Sequence, residues 1–224
     1  MKATRRSKSK VTMSNSRWVA YAAAGAATAV GAATTAEAAI HYSGPINEHF
    51  AAGSGTNSVH YFNLSPGNSF GLAQSNLGSG VGVAKFGVFG AASAAFAGFS
   101  ASGFPYVSKL AFGAHIDGAN FAATAPVGTM AFAYGYANSQ WLAAGKGYIG
   151  FRFNDGSGLQ YGWAQIVMDG APANTFTLVD YAYGDVGDSI TAGEVPEPGS
   201  LALLALGGVG LLAWRKRRSA ALAA

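Results

Sequence analysis

Between Tyr148 and Tyr183 the chain changes character at every second residue, and this constrains its fold more than any other feature. Ile149, Phe151 and Phe153 alternate with Tyr148, Gly150 and Arg152. After the cluster Asn154-Asp155-Gly156-Ser157-Gly158, the residues Leu159, Tyr161, Trp163, Gln165 and Val167 alternate with Gln160, Gly162, Ala164, Ile166 and Met168. Residues 169–174 make a second turn cluster, and Phe176, Leu178, Asp180 and Ala182 then alternate with Thr177, Val179, Tyr181 and Tyr183. A period of two places alternate side chains on opposite faces of a strand. Glycines in the first cluster can take the positive φ that a tight hairpin requires. The pattern predicts three successive antiparallel strands.

Shorter alternating runs at residues 59–64, 83–89, 106–112 and 129–136 add four more strands. No long run with a 3.6-residue period interrupts them. Seven or more short strands without helices predict an all-β domain, an antiparallel β-sandwich or a jelly-roll-like fold. The stretch 71–104 is rich in Gly, Ala and Ser, with Phe86, Phe89, Phe96, Phe99 and Phe104 spaced through it. It reads as strands near its ends and a long loop inside. No repeat of solenoid length is present.

Charge is distributed unevenly. The whole chain has a formal charge of +4, but six of its fourteen Lys and Arg lie in residues 1–17 and four at Arg215, Lys216, Arg217 and Arg218. Residues 39–194 hold four cations against eight acids, a net of −4. A nucleic-acid partner needs a basic patch to neutralise phosphates, and the middle of the chain offers none. There is no cysteine, so disulfides, thiolate metal sites and Cys nucleophiles are excluded.

Catalytic chemistry is poorly represented, and the chain reads as non-enzymatic. Asp155, Asp169, Asp180, Asp185 and Asp188 could supply the acid and base of glycoside hydrolysis, but most sit in turns beside Gly or Asn. A turn carboxylate usually bonds its own backbone. Asp180 lies inside a strand pattern instead, and Arg152 is the expected partner if it faces inward. His41, His49, His60 and His115 show no metal-ligand spacing, so no metal site is assigned. Calcium is the one ion the loops could meet with oxygen donors, at Asp185-Val186-Gly187-Asp188 or Asn154-Asp155-Gly156-Ser157, although neither follows a known loop pattern. There is no G-x-S-x-G elbow, and Gly78-Ser79-Gly80-Val81-Gly82 lacks the Lys-Ser/Thr of a phosphate loop. Period two puts Tyr161 and Trp163 on one face, where they could stack on sugar rings. Among strand aromatics the commoner role is core packing.

Both ends read as addresses. A basic stretch through Arg17, an apolar run over residues 18–33 and the small-residue site Ala36-Glu37-Ala38 form the three parts of a secretory signal peptide, cut between Ala38 and Ala39. Lys8 stands where a twin-arginine signal wants an apolar residue, which favours the general secretory route. Near the other end, residues 200–214 are fifteen uncharged residues followed by Arg215-Lys216-Arg217-Arg218. As a helix this run is about 22 Å long. A bilayer core of about 30 Å usually takes about 20 residues. Snorkelling cations can close part of the gap. The basic cluster belongs on the cytoplasmic side. With the signal peptide, this places residues 39–198 outside. Val195-Pro196-Glu197-Pro198 is a stiff, extended strip, since each proline also biases the residue before it. A pre-extended strip loses little entropy on entering an enzyme's groove.

Val-Pro-Glu-Pro, a short apolar helix and an Arg-rich cluster, in that order, resemble the PEP-CTERM sorting signal. Pro196, Glu197 and Pro198 match its motif residue by residue, while residues 219–224 extend beyond the usual end. Gly150-Phe151-Arg152-Phe153, Tyr161-Gly162-Trp163 and Asp180-Tyr181-Ala182-Tyr183 also resemble a recurrent β-rich ectodomain of PEP-CTERM proteins. The resemblance implies processing by an exosortase in a Gram-negative bacterium with an exopolysaccharide or biofilm programme, and no established reaction. The expected layout is a signal peptide over residues 1–38, a β-sandwich ectodomain over 39–190 and a linker over 191–194. The sorting signal follows over 195–218, with a transmembrane helix at 200–214, and a tail over 219–224. The implied partners are the secretion machinery, signal peptidase, the inner membrane before processing, the exosortase, and exopolysaccharide at the cell surface.

Overall fold

The computed structural model describes residues 39–90, 93–121, 126–132 and 138–196, together with Gly208. The chain divides into two compact units, Met1–Glu37 and Ala38–Ala224, and every described residue belongs to the second. The predicted signal peptide, and the apolar and basic segments from residue 197 onward except Gly208, lie outside the described residues.

The described domain is all-β, with fourteen strands and one 3-10 turn at Gly118–Asn120. One six-stranded sheet, sheet A, contains β1 (His41–Tyr42), β2 (Glu48–Phe50), β6 (Ala95–Phe96), β11 (Gly145–Asn154), β12 (Leu159–Gly170) and β13 (Thr175–Tyr183). Its order is β1-β13-β12-β11-β6, with β2 also paired to β13. A second six-stranded sheet, sheet B, has the order β3-β4-β5-β10-β8-β7. These strands are β3 (Asn57–Ser65), β4 (Asn68–Asn76), β5 (Gly82–Phe89), β7 (Gly98–Ala101), β8 (Phe104–Val107) and β10 (Val127–Phe132). All pairs in sheet B are antiparallel except β8 with β10. A two-stranded sheet joins β9 (His115–Ile116) to β14 (Ile190–Thr191).

The alternation that predicted β11 to β13 appears in the register. Phe151 lies opposite Gly162, and Trp163 opposite Gly150 and Ala182. Asn154 Oδ1 closes the hairpin by accepting from the amides of Gly156 and Gly158. Consecutive strands 3-4-5 and 11-12-13 stay within one sheet because short turns join them. Each triplet is a meander, and around them the chain passes between the two sheets at β2–β3, β5–β6, β6–β7 and β10–β11.

Sheets A and B share one buried core. Sheet A contributes Phe50, Ile149, Phe151, Phe153, Ile166, Phe176 and Leu178, and sheet B contributes Phe62, Phe70, Leu72, Phe86 and Val88. The ring centroid of Phe70 lies 5.4 Å from that of Phe151 and 5.0 Å from that of Tyr181, so aromatic packing bridges the two layers. Such pairs add about 0.5–1.5 kcal/mol each beyond their buried area.

Three expectations need correction. The stretch 71–104 is not a long loop between strand ends, because it contains most of β4, all of β5 and the short β6 and β7. The expected strand at 106–112 stops at Val107. Beyond it, Leu110 only bridges to Tyr148. In β13 an extra residue, Val179, interrupts the register between Gln165↔Asp180 and Ile166↔Leu178. This β-bulge reverses the facing of everything after it. Phe176 and Leu178 point into the core together with Tyr181 and Tyr183, whereas Asp180 and Ala182 turn outward.

Candidate functional site

The outer face of sheet A carries a second cluster, of Tyr148 and Trp163 with Ala182, Ile116, Ile190 and Ala192. Its cover is a C-terminal strap. β14 pairs with β9, the Ala192 amide donates to the Ala114 carbonyl (2.8 Å), and the Gly113 amide donates to the Ala192 carbonyl (2.9 Å). Trp163 Nε1 donates to the Glu194 carbonyl at 3.1 Å, and a Glu194 carboxylate oxygen accepts from the Thr191 amide at 2.8 Å. Residues 191–194, expected to form a linker, are thus bonded into the domain. The reason is local: Trp163 has one N–H to satisfy, and the strap supplies the acceptor.

Trp163 is 1% exposed, so it has no ring face to offer a sugar, which corrects that expectation. Tyr161, on the same face, is half-buried against Phe121. Trp141 and Tyr148 are buried as well. The rings that period two aligned are covered because sheet A has a layer packed on each side.

Asp180 stands at the edge of this cluster. Tyr42 donates its hydroxyl to Asp180 Oδ2 at 2.8 Å, and Oδ1 is buried without a hydrogen-bond partner among the described residues. Burial raises the Asp180 carboxyl above the usual carboxylate range, and the Tyr42 hydrogen bond only partly offsets this. The Tyr42 phenol is raised in turn, chiefly by that hydrogen bond. Arg152 is not the partner of Asp180. Its Nε donates to the Ser93 carbonyl at 3.2 Å and its guanidinium lies 4.8 Å from the Phe121 ring centroid.

The other acids and histidines are dispersed. Asp169 accepts from Thr175 Oγ1 (2.6 Å), Asp155 accepts from the Ser157 amide (3.0 Å), and Asp117 accepts from the Ala119 amide (2.8 Å). His60 contacts Glu48 at 2.6 Å, His49 contacts Thr177 at 3.2 Å, and His115 lies 3.7 Å from Asp117. Asp185 contacts His41 at 3.2 Å and accepts from the Ala39 amide at 3.1 Å. Among the described residues no three His, Asp or Glu are grouped to hold a metal ion. The loop considered for calcium at 185–188 has the Asp185 carboxylate engaged by Ala39 and His41.

Sequence reading missed a groove of about 340 Å³ on the outer face of sheet B. Ser75, Leu77, Lys85, Phe104, Thr129 and Phe132 line it. The available signal was negative: the six strands of sheet B contain no Asp or Glu, and Lys85 is their only Lys or Arg.

The chain leaves the domain at the strap. Val195 and Pro196 are exposed, directly after the anchored Glu194. Glu197, Pro198 and the cluster Arg215, Lys216, Arg217 and Arg218 lie outside the described residues, as do Ala36 and Ala38. Among the described residues no helix is long and apolar enough to cross a membrane. Residues 194–218 match the family model of the PEP-CTERM protein-sorting motif. The chain carries a PEP-CTERM sorting signal. No curated protein and no solved structure matches it. The PEP-CTERM motif indicates exosortase-dependent sorting of an exported protein. Its first matched residue, Glu194, is hydrogen-bonded into the fold, and the exposed Val195 and Pro196 follow it.

Proposed function

We propose that this chain is a non-enzymatic surface or matrix protein of a Gram-negative bacterium. A signal peptide cut before Ala39 exports it, the inner membrane holds it through residues 200–214, and an exosortase reads Val195-Pro196-Glu197-Pro198 and removes the tail. The delivered domain then joins the envelope or the exopolysaccharide layer. The observation that carries this reading is the continuity of fold and address at Glu194: a domain tied down to that residue is followed at once by the sorting motif. The non-enzymatic part is supported by the dispersal of the described carboxylates, with Asp117, Asp155 and Asp169 each accepting from a donor a few residues away and Asp180 and Asp185 engaged separately by Tyr42 and by Ala39 and His41.

Mass spectrometry of the protein from cells with an active exosortase tests the sorting step. The expected mature form starts at Ala39 and lacks Trp214. Mature protein that retains Trp214 would overturn the processing claim. The N-terminus has its own structural correlate. A cut before Ala39 would convert its amide into an ammonium group beside Asp185 Oδ2, 3.1 Å away.

A further inference from the structure

We propose that the groove across sheet B binds a uronic-acid-type polysaccharide through Lys85, flanked by ring faces and hydroxyl groups. The inference rests on the reading of the chain as an exported protein that meets polysaccharide outside the cell.

Charge complementarity selects the ligand's sign. Residues 39–194 carry a net of −4, and every one of their acids lies off sheet B. Lys85 is exposed in the middle of that sheet, opposite Ala73 on one side and Thr129 on the other, and among the described residues no carboxylate lies within salt-bridge distance of it. A polyanion is repelled by the rest of the domain and attracted here. A single ammonium matches a single carboxylate per sugar ring.

The groove's position selects the ligand's class. A peptide usually joins a sheet at an edge, through main-chain hydrogen bonds. This groove crosses β4, β5 and β10, each already paired on both sides. Recognition there falls to side chains: the Lys85 ammonium, the Ser75 and Thr129 hydroxyls, and the apolar surfaces of Phe104 and Phe132. A saccharide presents the complement, with hydroxyls at its edge and C–H groups on its ring face. Phe104 is 47% exposed, and Tyr61, 56% exposed, extends the apolar surface across the same sheet. Gly71 and Gly87 give Tyr61 and Phe89 room to lie on the sheet, since a Cβ at Gly71 would come within 2.9 Å of the Tyr61 ring and 3.0 Å of the Phe89 ring, and one at Gly87 within 2.9 Å of the Phe89 ring.

The test uses the full chain purified in detergent, titrated with oligogalacturonate and, as a neutral control, with dextran oligomers. Oligogalacturonate is expected to bind, and dextran is not. Lys85→Gln is expected to weaken binding about 10-fold, the loss of roughly one charge-assisted contact. Lys85→Arg should retain it, and Lys109→Gln, on another face, should leave it unchanged. Equal affinity for dextran, equal affinity of Lys85→Gln, or no binding to oligogalacturonate would overturn the proposal. Tail processing is read by mass on the same protein produced with exosortase. Failed binding with correct processing therefore removes this site alone, and binding without processing removes the sorting reading alone.

Discussion

Asp180 shows how one side chain sets a pH response. Its carboxyl is raised in the folded state because burial disfavours the charged form. The folded protein therefore holds this proton more tightly than the unfolded chain. The contribution to stability is complete below the unfolded pKa and is lost as pH rises through the folded one. Asp180→Asn removes the charge but keeps an oxygen for the Tyr42 hydroxyl. The variant is expected to melt no lower than wild type at pH 7, with wild type gaining on it as the pH falls toward 4. A melting series from pH 4 to 8 checks this, and a wild-type advantage that grows with pH would contradict it. Trp163→Phe tests the opposite kind of residue, one whose ring is buried and whose N–H has a single acceptor. Loss of that bond should cost about 1 kcal/mol and speed amide exchange at Ala192 and Glu194. Asp180 also marks where sequence reading stopped. Arg152 was a reasonable partner by charge and period, but Arg152 lies opposite Tyr161 and Asp180 opposite Gln165, so the two share the outer face of sheet A at different positions along β12 and do not meet.

At the scale of strands, β11 to β13 were legible because their inward and outward sets differ sharply and their turns are rich in Asn, Asp and Gly. The segment 71–104 was not, because Gly71, Gly87 and Gly98 inside its strands resemble loop residues when they are in fact places for rings. Gly71 lies under Tyr61 and Phe89, and Gly128 lies against Phe96. The signal for a packed glycine is a ring on the neighbouring strand, and that pairing becomes visible only once the register is known. Gly162 in β12 is the clearest case. A Cβ there would meet the Phe151 ring at 2.5 Å and the Ala182 carbonyl at 2.7 Å. Gly162→Ala is expected to destabilise by about 1–3 kcal/mol through overpacking. Chemical denaturation would measure it, and a neutral result would mean that β12 and β13 can part more easily than their register implies. The groove on sheet B was equally hard to read, because it is defined by which strands adjoin Lys85 and by acids placed elsewhere.

For the molecule as a whole, the core is a bridge between two sheets, with Phe151 in contact with Phe70 and Phe86 across it. Phe151→Ala should remove about 3–5 kcal/mol of stability, with loss of the near-ultraviolet signal from buried aromatics at lower denaturant. The sorting address was legible because it is a local pattern of proline, apolar run and basic stop. What the domain holds was not, because Trp163 and Tyr161 carry the same signature whether they are covered or open. The strap that covers them has a further consequence, one of timing. β14 is the last of the described strands to be synthesised, and its partner β9 precedes it by about 75 residues of chain. The outer layer of sheet A must wait for Ile190 to Glu194 before it can close, and the sorting motif is the next thing to emerge. Completion of the fold and arrival of the address are consecutive moments on one thread, so a chain that stalls before β14 carries neither.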